Sequence, residues 1–123
     1  MKWIILFFVV FGAIHQEQEW LAPSSADTQK NTQKKTEKNI AAGKKTFEKL
    51  CAVCHGTSGK GDGISASSLK IKPADFSEEK IQNQTDGALY WKISEGRGEM
   101  SNYKNLLTSK ERWQLVIFIR TLK

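Results

Sequence analysis

The residues best equipped for chemistry sit together in Cys51-Ala52-Val53-Cys54-His55, two thiols three apart followed directly by an imidazole. This spacing is the C-x-x-C-H signature of c-type haem attachment. Each thiol can add across one haem vinyl group to leave a thioether, and the adjacent His55 then reaches the iron, so one turn supplies both attachment and ligation. Other readings compete. Zinc usually takes four protein ligands, and the two cysteines are joined by only one further histidine, His15. A thioredoxin-type redox pair fits C-x-x-C alone, but no strand-helix-strand pattern precedes Cys51. A structural disulfide or a chance pentapeptide is the bland alternative.

An iron held by His55 on one side needs a ligand on the other. His15 lies at the edge of an apolar N-terminal stretch, and the chain has one methionine besides the initiator, Met100. A lone methionine is more often core filler than a ligand. Here it sits in the Gly-bounded stretch Gly96-Arg97-Gly98-Glu99-Met100-Ser101-Asn102-Tyr103, and a thioether needs no deprotonation and suits haem iron. Lys, Tyr or water remain alternatives at that position. The expected cofactor is one haem c with its iron, bound through Cys51 and Cys54 and ligated by His55 and Met100.

Several elements must position these groups. Asn39 can cap a helix from Ile40, in which Ile40, Gly43, Phe47 and Leu50 recur at helical steps and deliver Cys51. Gly43 costs about 1 kcal/mol against Ala inside a helix, which points to a second helix passing close by. Four glycines between Gly56 and Gly63 make a loop; without a preceding strand or a Walker pattern it is not a phosphate cradle, and it suits tight turning around a bulky group. Ser77 can cap a short turn through Ile81. Thr85 can cap a helix from Asp86 to Glu95, with Leu89, Tyr90 and Ile93 buried and Gly96 as its stop. Thr108-Ser109-Lys110-Glu111 is a capping box opening a final helix, Trp113 to Leu122, buried on most sides.

The front of the chain reads differently. Lys2 followed by the apolar stretch Trp3 to Ile14 has the length of a secretory h-region rather than of a membrane span, which needs about 20 residues. Residues 1–26 are therefore expected to be a signal peptide or an uncleaved anchor, residues 27–39 a disordered polar linker, and residues 40–123 the folded domain. Export places the protein in the periplasm or on the outer face of the cytoplasmic membrane. Within residues 40–123, 14 basic side chains stand against nine acidic ones. That balance favours acidic partners, and no nucleic-acid module accompanies it.

With these features in order, residues 40–123 resemble a class I cytochrome c of the bacterial periplasmic type. The resemblance rests on Gly43 and Phe47 before the C-x-x-C-H run, then Gly61-Asp62-Gly63, Pro73-Ala74-Asp75-Phe76, Thr85-Asp86-Gly87, Gly96, Met100 and Glu111-Arg112-Trp113. It implies an all-α fold of three to five helices around one covalent haem, whose first and last helices cross so that Gly43 and Phe47 meet Leu115 and Phe118. It also implies that the Pro73 carbonyl accepts a hydrogen bond from His55. Where the family usually has proline after the methionine, Ser101 stands here, which loosens the Met100 loop.

The expected function is a monomeric, monohaem carrier of single electrons in a respiratory chain, with no enzymatic step. Leu69, Phe76, Leu89, Ile93, Val116 and Ile117 would bury the iron centre, and Lys60, Lys70 and Lys104 would steer docking onto acidic redox proteins. A haem subunit of a larger membrane complex, tethered through the N-terminal segment, is the second reading. An open-site sensor or weak peroxidase lacking the Met100 bond is the third.

Overall fold

The structure, a computed structural model, describes Gly12 and residues 19–123. The rest of the apolar N-terminal stretch, and His15 with it, lies outside the described residues. Helix α1 spans Glu37–Leu50, α2 Ala52–His55, α3 Glu79–Gln82, α4 Asp86–Glu95 and α5 Ser109–Ile119, with single 3₁₀ turns between and after them. Among the described residues there is no strand, only an isolated bridge between Arg97 and Met100.

Helix α1 begins one turn earlier than the Asn39 cap predicts. Thr36 is the cap, its hydroxyl accepting from the Asn39 backbone N–H at 3.2 Å. Asn39 is freed for a cross-link, its side-chain oxygen accepting from Gln114 of α5 at 2.9 Å. The crossing of α1 and α5 is the centre of the fold. Gly43 lies against the backbone carbonyl of Gln114, and a β-carbon there would also come within 2.9 Å of Phe118 Cβ. The glycine contact is thus with Gln114 and Phe118 rather than with Leu115. Phe47, 0% exposed, packs its ring 5.1 Å from that of Phe118. Burial of this kind is the main favourable term available to so small a domain.

Helix α5 starts at the expected box: Thr108 accepts from Glu111 N–H at 3.2 Å, and the Glu111 carboxylate accepts from Thr108 N–H at 2.7 Å. Helix α4 is capped by Thr85, whose hydroxyl accepts from Ala88 N–H at 3.0 Å, and packs on α5 with Tyr90 stacked 3.8 Å from Trp113. The turn before α3 is organised by Asp75, whose carboxylate accepts from both the N–H and the hydroxyl of Ser77. These bonds hold the Asp75 carboxyl below its usual pKa.

The expected disordered linker, residues 27–39, packs on the domain and runs into α1, and residues 20–26 of the expected leader pack with it. Residues Ser24–Thr28 form a 3₁₀ turn in which Ala26 is 1% exposed, pressed against Gly87 at the start of α4. Thr85 donates to the Asp27 carboxylate at 2.6 Å, and Asn31 donates to the Trp113 carbonyl at 3.2 Å. Ahead of this turn, Trp20 lies 6.4 Å from Trp91, with the charged ends of Lys92 and Arg97 5.4 and 5.1 Å from its ring. Residues 20–36 therefore form a strap over α4 and α5. A polar composition did not prevent ordering, because small and hydrogen-bonding side chains meet matching groups on the domain.

Candidate functional site

Cys51 caps the end of α1, its N–H donating to the Phe47 carbonyl at 2.8 Å, so the first cysteine follows directly from the helix that carries the fully buried Phe47. Cys54 and His55 then close a tight turn by donating to the Cys51 carbonyl at 3.2 and 2.9 Å. The glycine loop wraps this turn. Gly61, Gly63 and Ser65 donate to the carbonyls of His55, Cys54 and Val53 at 2.8, 3.0 and 2.9 Å. A β-carbon on Gly63 would meet the Val53 carbonyl and stand 2.6 Å from that of Ala52, so glycine is required by the approach of two backbones.

His55 Nδ1 is 3.2 Å from the Ala74 carbonyl. The partner is one residue beyond the expected Pro73, whose carbonyl instead faces Gly61. A carbonyl only accepts, so Nδ1 carries the proton and Nε2 keeps a lone pair for an electrophile or metal. Burial lowers the imidazole pKa, with the Ala74 bond opposing it, so the ring is a neutral donor at ordinary pH. The Cys51 thiol is pushed up to about 12 by burial and then by Cys54. Both cysteines remain separate thiols, and no group of acidic, cysteine and histidine side chains among the described residues could hold a metal ion by itself.

A narrow apolar seam, about 20 Å³, opens beside this turn and is lined by Phe47, Cys51, His55, Phe76, Ile93, Met100, Tyr103, Leu115 and Ile119. Of the four expected binding residues, Cys51, His55 and Met100 share the seam, while Cys54 sits half-buried in the turn behind. Phe76 narrows it by stacking on His55 at 4.6 Å. From α5 the seam takes Leu115 and Ile119 rather than Val116 and Ile117, because positions four apart share a helix face. Leu89 and Val116 belong to the core behind it. Tyr103, unassigned from sequence, lines the seam and donates to the Leu50 carbonyl at 3.2 Å, linking the Met100 loop to the end of α1. Its position three after Met100 was the only available signal. Burial, then Cys51 and Cys54, raise its pKa, and the Ser101 hydroxyl acts against them. Lys104, next in the chain to Tyr103, is exposed and approaches the Glu95 carboxylate at 3.8 Å.

The family model described as cytochrome c oxidase, cbb3-type, subunit III matches residues 38–119. The chain belongs to this cytochrome c family. A solved chain from the Kuenenia stuttgartiensis reducing HAO-like protein complex is similar at 36% identity with a TM-score of 0.68, covering 73% of this chain and 46% of that one. This chain thus spans less than half the length of that neighbour. No curated protein matches it. As in other c-type cytochromes, the fold is all-α and the implied cofactor is haem c. The residues present fit that group in donor chemistry: two thiols for its vinyl groups, an imidazole with a free Nε2, a thioether, and an otherwise apolar lining broken only by the Tyr103 phenol. A seam of about 20 Å³ would have to widen to admit a macrocycle.

Proposed function

We propose that the chain is a monohaem electron carrier working outside the cytoplasm, with His55 and Met100 as axial ligands and Cys51 and Cys54 as covalent anchors. The observation that carries this reading is the meeting of Cys51, His55 and Met100 in one apolar seam, although Met100 is 45 residues beyond His55 in the chain. Haem c, when bound, supplies a one-electron Fe(II)/Fe(III) couple. Every other part of the mechanism belongs to the protein. Ala74 fixes the imidazole tautomer; Phe76, Ile93, Leu115 and Ile119 exclude water and favour the less charged ferrous state; Met100 adds a soft ligand that raises the potential further.

Partner docking falls to the surface around the cysteine turn. Val53, Ile64 and Ile71 are exposed there, Ile64 by 90%, and Lys60, Lys70 and Lys72 belong to the same loops. An apolar patch among lysines suits brief, salt-sensitive contact with an acidic redox protein. No helix among the described residues is long and apolar enough to cross a membrane, and the apolar N-terminal stretch is our candidate for a tether. A second reading, a haem-bearing subunit of a larger complex, is favoured by the family description and by a neighbour from a complex of two proteins.

The visible spectrum of the ferric protein tests the ligation. A weak sulfur-to-iron band toward the red end is the expected result, lost in Met100→Ala. A spectrum without that band would shift the reading to the open-site sensor. Intact mass tests attachment, and co-purification with a fixed partner separates subunit from free carrier.

A further inference from the structure

A second cleft, of about 190 Å³, shares no lining residue with the seam; its walls include Gln29 of the strap, Tyr90, Ser94 and Glu95 of α4, Lys104, and Arg112 of α5. Arg112 is the unusual member. It is only 8% exposed, yet no ion pair among the described residues includes it. Its Nη1 donates to the Ser94 hydroxyl, its guanidinium lies 4.8 Å over the Tyr90 ring, and its Nε is buried with no hydrogen-bond partner. Ser94 supplies no charge, and its own proton is committed to the Tyr90 carbonyl at 2.7 Å. A buried guanidinium without a counter-charge is an unfavourable arrangement unless something anionic completes it.

The rim points the same way. Lys104 approaches Glu95 at 3.8 Å, but both side chains are well exposed, and such a pair binds an ammonium weakly. The cleft thus presents two cations and one carboxylate. Tyr90 and Ser94 hold the guanidinium plane in place before anything arrives, so little order is lost on binding.

We propose that this cleft binds a small inorganic oxoanion of the phosphate type, with Arg112 as the buried anchor and Lys104 as the rim cation. A planar guanidinium offers parallel N–H groups to two oxygens of such an anion, and a lysine supplies a mobile point charge for a third. The two sites share no lining residue, and the proposal does not rest on the haem reading.

The test is a titration of the full chain as purified, kept reduced, with inorganic phosphate at constant ionic strength balanced by chloride, followed by NMR. Saturable shifts confined to Gln29, Ser94, Lys104 and Arg112 are expected. Lys104→Gln should weaken binding about tenfold, in keeping with loss of one charge-assisted contact. Glu95→Gln should tighten it, and Arg112→Gln should abolish it. Should Arg112→Gln fail to fold, the opposite responses of the two exposed variants decide the matter. A cleft that holds only water would give no saturation, or the same shifts in chloride alone, and either result overturns the proposal, as does unchanged affinity in both rim variants.

Discussion

The two ends of the seam are held in different ways. On the histidine side, α1 runs out of the core directly into Cys51, three loop N–H groups satisfy the carbonyls of Val53, Cys54 and His55, and Ala74 orients the imidazole. On the methionine side, a short loop turns on Gly96 and Gly98, both at positive φ; it is closed by the Arg97 and Met100 bridge and tied outward by the Glu99 carboxylate, which accepts from the Lys70 N–H at 2.8 Å, and by Tyr103, which donates to the Leu50 carbonyl. Gly63 is hemmed in by two carbonyls, and so is Gly96 at the start of the methionine loop, whereas Gly98 at the tip of that loop has nothing near where a β-carbon would stand. The contrast teaches that the histidine side is a rigid anchor throughout. The methionine side is held at its ends and open only at its tip.

The largest expected effect lies at the anchor. His55→Ala should leave no normally ligated pigment in the purified protein, read from absorbance and intact mass together; full colour with an unchanged spectrum would mean that His55 is not the anchor. The next contrast uses one substitution at two places. Gly63→Ala forces backbone apart and should lower stability by about 2 kcal/mol or more. Gly98→Ala meets open space and only the strain of its φ of 55°, about 1 kcal/mol. Thermal unfolding resolves the two, at roughly 4–8 °C per kcal/mol for a domain of this size. Equal losses at both positions would break the comparison.

Ser101 sharpens it from the other side. The residue is exposed, and Met100 before it is extended by its bridge, the conformation that a following proline requires. Ser101→Pro should therefore be accepted without loss of fold and should gain up to about 1 kcal/mol through the unfolded chain. On the proposed ligation, the sulfur-to-iron band should then persist to higher denaturant than in the parent protein. Earlier loss of the band would mean that the loop is already held by something other than its backbone.

What the sequence disclosed follows from the reach of each signal. The capping box at Thr108, the Thr85 cap and the C-x-x-C-H turn are local, and the structure has all three where local rules put them. Gly43 was legible because a glycine inside a helix asks for a close neighbour, although Gln114 could not be told from Leu115. The run Leu115 to Ile119 is apolar throughout, so it carries no stripe and its phase toward the seam was set only by packing. Thr36 and Asn39 are both good caps, and the earlier one prevailed where Asn39 gained Gln114 as a partner. The strap was illegible for a different reason. Its contacts use Ala26, Asp27 and Asn31, small or polar residues whose partners on α4 and α5 are distant in sequence, and hydropathy is blind to such pairs.

The strap also bears on the methionine side, through the smallest effect expected here. Trp20 covers Arg97, whose backbone forms the bridge to Met100, and Lys92 one turn before the loop. Exposed cation–π contacts contribute roughly 0.5–1 kcal/mol each, so Trp20→Ala should lower the melting temperature by several degrees without unfolding the domain. Burial, opposed by the Glu19 charge and reinforced by that of Arg97, holds the Lys92 pKa below its usual value of 10.5. Because the folded protein then binds fewer protons than the unfolded chain as pH approaches 10.5 from below, stability contributed by this group rises with pH across that window. Removing the indole re-exposes the ammonium, so the variant should show a higher Lys92 pKa by NMR and a flatter stability profile in the same window. If Lys92 titrates unchanged while the melting temperature falls, the strap acts through Ala26, Asp27 and Asn31 rather than through its indole, and the methionine loop depends on its bridge and on the bonds of Glu99 and Tyr103.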